Sequence, residues 1–102
     1  MNKQDLLAKL DEWSKTPGEE FDDDRYMPSL KVIEACRSYL NKTAIPWCDI
    51  VPNGDFGLEL EIDKDFQTGY YAYLEFSQDG HLRYGEFQDC KRFISLEGQL
   101  DA

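Results

Sequence analysis

The sequence is poor in the residues from which catalytic and metal centres are usually built. It holds one histidine, His81. Its three cysteines, Cys36, Cys48 and Cys90, form no CxxC pair, and their spacing with His81 matches no zinc pattern. There is no glycine-rich phosphate loop and no nucleophile elbow. No run of about 18 apolar residues could span a bilayer. The N-terminal stretch MNKQDLLAKLDEW sets charges among its apolar residues, which a secretory leader does not. Together these absences predict a cytoplasmic protein with reduced thiols, no cofactor and no metal. Basic residues are also scarce. Eleven Lys and Arg stand against 21 Asp and Glu, a formal charge of −10. A field of that sign repels nucleic-acid phosphates and anionic membranes, so a basic protein partner is expected instead. The same charge also serves solubility.

What is present suffices for one small core. The 102 residues fit a single domain, 1–102, with an acidic loop at about 16–27. Hydrophobic residues make up 41% and aromatics 14%, well above the range of disordered chains. Leu6, Leu10 and Trp13 recur at helical spacing, which predicts a helix over Lys3–Lys15 with Asn2 as N-cap and Thr16-Pro17-Gly18 as its stop. In Glu19-Glu20-Phe21-Asp22-Asp23-Asp24 five acids repel one another without any period, and an exposed loop is expected. A second helix is predicted over Pro28–Leu40, with Pro28 at its first position. Val32, Ile33, Cys36, Tyr39 and Leu40 form its apolar face.

Beyond Leu40 the period changes from 3.6 to 2. Trp47–Val51, between Pro46 and Pro52, reads as an edge strand, followed by a turn at Asn53-Gly54-Asp55. Leu58, Leu60 and Ile62 alternate with acids, Tyr70, Ala72, Leu74 and Phe76 with Tyr71, Tyr73 and Glu75, and Leu82 and Tyr84 with Arg83, Gly85 and Phe87. A three-residue loop, Gln78-Asp79-Gly80, with Gly80 left-handed, sets Phe76 opposite Leu82, Leu74 opposite Tyr84 and Glu75 opposite Arg83. The preceding connection, Asp63 to Gly69, sets Ile62 opposite Tyr70, Leu60 opposite Ala72 and Leu58 opposite Leu74. The tail from Cys90 to Ala102 fits a short strand or an irregular strap. The expected architecture is α+β: two N-terminal helices packed on one face of a three- to four-stranded antiparallel meander.

Asp63 to Gly69 has a loose likeness to a calcium loop. Thr68 stands where an EF-hand needs glycine, Leu74 where it needs glutamate, and strands flank it. The outer sheet face is more informative. Alternation places Glu59, Glu61, Tyr71, Tyr73 and Glu75 together, exposed and opposite the helices, as acids interleaved with aromatics suited to a basic partner. Tyr73 could alternatively do no more than cover Gly85.

The segments Ile45-Pro46-Trp47, Val51-Pro52-Asn53-Gly54-Asp55-Phe56-Gly57, Leu58-Glu59-Leu60-Glu61 and Leu74-Glu75-Phe76-Ser77-Gln78-Asp79-Gly80 carry a resemblance. From Leu30 to Phe87 the chain resembles a family of small uncharacterised bacterial proteins. Their pattern is Pro-Trp, a Pro-x-x-Asp-Gly-Gly turn, a strand with an acidic residue and a second Asp-Gly. Phe56 stands where that family usually has glycine, and Glu61 where it often has tryptophan. The resemblance implies the fold and no activity.

The composition and the acidic, aromatic face point to a non-enzymatic binding protein. It would neutralise a basic partner as antitoxins and immunity proteins do, or occupy the nucleic-acid groove of a defence nuclease as a phage inhibitor would. The rival expectations are a small hydrolase using a carboxylate pair, and a regulatory subunit of a larger complex.

Overall fold

A computed structural model describes residues 1–22, 25–45, 48–65, 67, 69–88 and 91–99, with Asp63, Lys64 and 91–99 described as backbone. Helix α1 spans Lys3–Trp13. Its start is a capping box. The Asn2 side chain accepts the Asp5 N–H at 2.9 Å, and the Asp5 carboxylate accepts the Asn2 N–H at 3.3 Å. Leu6, Leu10 and Trp13 are buried, as their spacing predicts. The helix stops two residues before Lys15.

Residues 20–22 are not part of a plain loop, which corrects the expectation drawn from the charge of this segment. Glu20–Asp22 (β1) pairs antiparallel with Arg25–Tyr26 (β2). Arg25 is the reason. It lies over the Phe21 ring at 5.4 Å and 3.9 Å from the Asp22 carboxylate, offsetting repulsion that the acids alone would feel. Asp23 and Asp24 lie outside the described residues.

Helix α2 spans Leu30–Lys42, two residues later than expected. Ser29, not Pro28, marks the boundary: its hydroxyl accepts the Val32 N–H at 3.3 Å. Pro28 is buried just before the cap, where its carbonyl accepts the Gly18 N–H at 3.1 Å. Val32, Ile33, Cys36 and Leu40 are buried along one face.

Five strands follow: β3 (Asp49–Asn53), β4 (Gly57–Asp65), β5 (Tyr70–Phe76), β6 (His81–Gln88) and β7 (Lys91–Gln99). They lie in chain order, each antiparallel to the next. The sheet therefore has five strands where three or four are expected, because the backbone of the tail at 91–99 pairs with β6. At the other edge, β3 runs two residues beyond Val51 and includes Pro52, which an edge strand tolerates because its outward side needs no donor. Pro46 and Trp47 lie outside the described residues.

The β5–β6 hairpin has the expected register, with Phe76 opposite Leu82, Leu74 opposite Tyr84 and Glu75 opposite Arg83. The Ser77 N–H donates to the His81 carbonyl at 3.0 Å, closing a loop of Gln78-Asp79-Gly80, and Gly80 has φ +85°. A Cβ at Gly80 would meet nothing within 4 Å, so a substitution there is opposed chiefly by backbone strain. Gly80→Val is expected to lower stability by about 1–2 kcal/mol in urea denaturation. An unchanged midpoint would show that the loop can adopt another turn.

The β4–β5 register differs from expectation. Leu58 faces Phe76 and Leu60 faces Leu74, and an irregularity between Glu61 and Asp63 then sets Asp63 opposite Ala72 and Asp65 opposite Tyr70. The alternative with Leu58 opposite Leu74 is a slip of two residues, which leaves every side chain on its own face, so alternation could not exclude it. The bulge at Ile62 absorbs the extra residue.

One buried cluster unites Leu6, Leu10 and Trp13 of α1, the apolar face of α2, and Ile50, Leu58, Leu60, Leu74 and Phe76 of the sheet. Tyr39 meets Phe76 edge to face at 5.6 Å. Cys36 and Cys48 are buried free thiols, and burial pushes the Cys36 thiol from 9.0 to about 12, so it stays protonated. Among the described residues, no helix is long and apolar enough to cross a membrane.

Candidate functional site

The sheet face turned away from the helices collects the polar positions of the strands. On β4 these are Glu59 and Glu61, and the β3 register sets Asp49 opposite Glu61 and Val51 opposite Glu59. On β5 they are Tyr71, Tyr73 and Glu75, and on β6 Arg83, Gly85 and Phe87. The five residues expected at a partner-binding face do share one face, but they are not equally available.

Tyr73 is the correction. It is only 4% exposed. Its cross-strand partner is Gly85, which leaves a hollow, and the ring fills it: a Cβ at Gly85 would lie 2.6 Å from Tyr73 Cε1. Tyr71 stacks on Tyr73 with ring centres 5.4 Å apart, Phe87 stacks on it at 5.7 Å, and Tyr71 and Phe87 lie 6.2 Å from each other, so the three rings form a triangle. Tyr73 is thus the buried member of a three-ring cluster whose half-buried members, Tyr71 and Phe87, meet solvent. Burial, followed by a hydrogen bond to Glu59 and the charges of Glu59 and Glu61, pushes the Tyr71 hydroxyl above the usual phenol range. The phenol stays neutral and donates to the Glu59 carboxylate.

Glu75 is held on both oxygens. Asn53 Nδ2 donates to Oε2 at 2.9 Å and Arg83 donates to Oε1 at 3.4 Å. Glu59 and Glu61 are half-buried, and Asp49 beside Glu61 is exposed. The charge of the face is uneven. Carboxylates dominate the β3–β4 side, while the bulges bring the backbone positions of Lys64 and Arg92 opposite Tyr71 and Phe87. The sequence pattern does not single out Asp49, because it gives β3 no register against β4, and that register is what sets Asp49 opposite Glu61.

Beside this face lies an open groove of about 620 Å³ between the β3–β4 turn and the β5–β6 hairpin. Asn53, Asp55, Glu75, Ser77, Asp79 and Arg83 are among its lining residues. A hydrogen bond from the Ser77 hydroxyl holds the Asp79 carboxyl below the usual range, with help from the His81 N–H. The β3–β4 turn itself is strained. Phe56 has φ 62°, the left-handed region that favours glycine, and its ring packs at a tilt of 31° against Tyr26, with ring centres 4.8 Å apart.

On the opposite face, beyond the core, Tyr70 and Tyr84 both donate to Glu86 Oε1, at 2.6 and 2.9 Å. No sequence pattern singles out this cluster. Glu86 faces the helix side of the sheet, where a carboxylate is accommodated by two phenol donors. Burial and the charge of Glu86 raise the Tyr84 hydroxyl.

Among the described residues, no three His, Cys, Asp or Glu side chains gather as metal ligands. Cys90, Phe66 and Thr68 lie outside the described residues, as do the side chains of Asp63 and Lys64. No family model, curated protein or solved structure matches the chain. Function must therefore be read from the residues themselves.

Proposed function

We propose that this protein works by binding rather than by catalysis, covering a basic surface of a protein partner and thereby neutralising or inhibiting it. An antitoxin, an immunity protein and an inhibitor of a nucleic-acid-binding enzyme all share this physical task. The observation that carries the reading is the outer sheet face: Asp49, Glu59 and Glu61 stand beside the half-buried rings of Tyr71 and Phe87. Carboxylates there can accept from lysine and arginine, and the ring edges supply apolar area at low conformational cost. The overall charge of −10 adds long-range attraction for a basic partner. Glu59, Glu61, Tyr71 and Glu75 remain contact residues in this reading, while Tyr73 supports Tyr71 from beneath.

The test begins with co-purification of the native partner and proceeds to binding kinetics. Affinity should fall as salt rises from about 0.05 to 0.3 M. Glu59→Gln and Glu61→Gln should each weaken binding by about two- to fivefold, mainly through the association rate. Tyr71→Ala should mainly speed dissociation. Binding indifferent to salt and to all three substitutions would show that this face is only a solvated surface.

A further inference from the structure

The groove beside the acidic face has a physical cause. On β4, between β3 and β5, the residue opposite Asn53 is Gly57, which sets no side chain between the Asn53 amide and the Glu75 carboxylate. The gap cannot easily be filled, since a Cβ at Gly57 would lie 2.7 Å from the Phe76 carbonyl oxygen. Two turns form the walls, and each carries a carboxylate: Asp55 on one, Asp79 on the other. Both are exposed. Glu75 is held in place by Asn53 and Arg83, so its orientation is set before any ligand arrives. Asp55, Glu75 and Asp79 outweigh Arg83, and the groove has the volume of a small-ligand site.

We propose that this groove receives an arginine side chain of the partner, seated between Asp55 and Asp79 above the fixed Glu75. The proposal rests on the basic-partner reading and names where its anchor sits. A guanidinium suits the groove better than an ammonium. It is planar, offers donors along several edges, and can address carboxylates on two walls at once, whereas lysine presents one compact charge. Its weaker hydration also lowers the penalty of leaving water.

The test uses short capped peptides of arginine and of lysine, equal in length and charge, titrated into the intact protein and followed by backbone amide shifts. The arginine peptide should shift Gly54, Asp55, Gln78 and Asp79 and bind about threefold or more tightly than the lysine peptide, the scale of one added charge-assisted hydrogen bond. Asp55→Asn with Asp79→Asn should weaken arginine binding by roughly five- to tenfold and abolish the preference, the scale of two partly exposed charge pairs. Both residues lie in exposed turns, and circular dichroism would confirm that the variant folds. Equal binding of the two peptides would overturn the groove as a guanidinium site. Shifts centred on Glu59, Glu61 and Tyr71, unaffected by the Asp55 and Asp79 changes, would overturn the groove and leave the acidic face standing. Absence of binding by either peptide would overturn both readings.

Discussion

Phe76→Ala is expected to lower stability by about 3–5 kcal/mol, a large part of the roughly 5–15 kcal/mol that holds a domain of this kind together. Phe76 is fully buried at the centre of the contact between helices and sheet. Its ring meets Tyr39 edge to face, and its cross-strand neighbours are Leu58 on β4 and Leu82 on β6. Removing it opens a cavity that the surrounding elements can close only in part, since Leu58 is held in a ladder on both sides. Urea denaturation measures the loss. A change below about 1 kcal/mol would mean that the two layers do not meet at this residue.

The second large effect is a coupling between Tyr73 and Gly85. Tyr73→Ala is expected to cost roughly 3 kcal/mol by emptying the hollow above Gly85 and removing the support of Tyr71 and Phe87. Gly85→Ala is expected to cost about 1–3 kcal/mol, because the new methyl group overlaps a ring already packed against Tyr71 and Phe87. The double variant should be less destabilised than the sum of the two by about 1 kcal/mol or more, since the methyl group then occupies space that the ring has vacated. Additivity within about 0.5 kcal/mol would show that ring and glycine do not share that space. The cycle also separates structure from function at this face. Tyr73 should act through stability, whereas Tyr71 should act through the dissociation rate of a complex.

The parts of this fold that depend on neighbours in the chain are legible in the sequence. Leu6, Leu10 and Trp13 mark the buried side of α1, and Val32, Ile33, Cys36 and Leu40 that of α2, because helical spacing alone brings them to one side. The Gly80 hairpin is legible for a similar reason: only a three-residue loop keeps Phe76 with Leu82 and Glu75 with Arg83 on their own faces. The α+β class and the identity of the outer face follow from these two periods.

What required the tertiary structure was long-range or compensating. A two-residue slip between β4 and β5 preserves both faces, so the choice of Leu58 opposite Phe76 falls to the bulge at Ile62 and the length of the connecting turn. Arg25 offsets the charge of Asp22 where β1 and β2 pair, which no period in the sequence announces. The backbone of 91–99 became a strand because β6 offered it an open edge. Alternation placed Tyr73 on the outer face, but its depth depends on Gly85 on the next strand and on the neighbouring rings of Tyr71 and Phe87. Periodicity reports the direction in which a side chain points. How far it is covered depends on what stands across from it, and that is set by packing between segments distant in the chain.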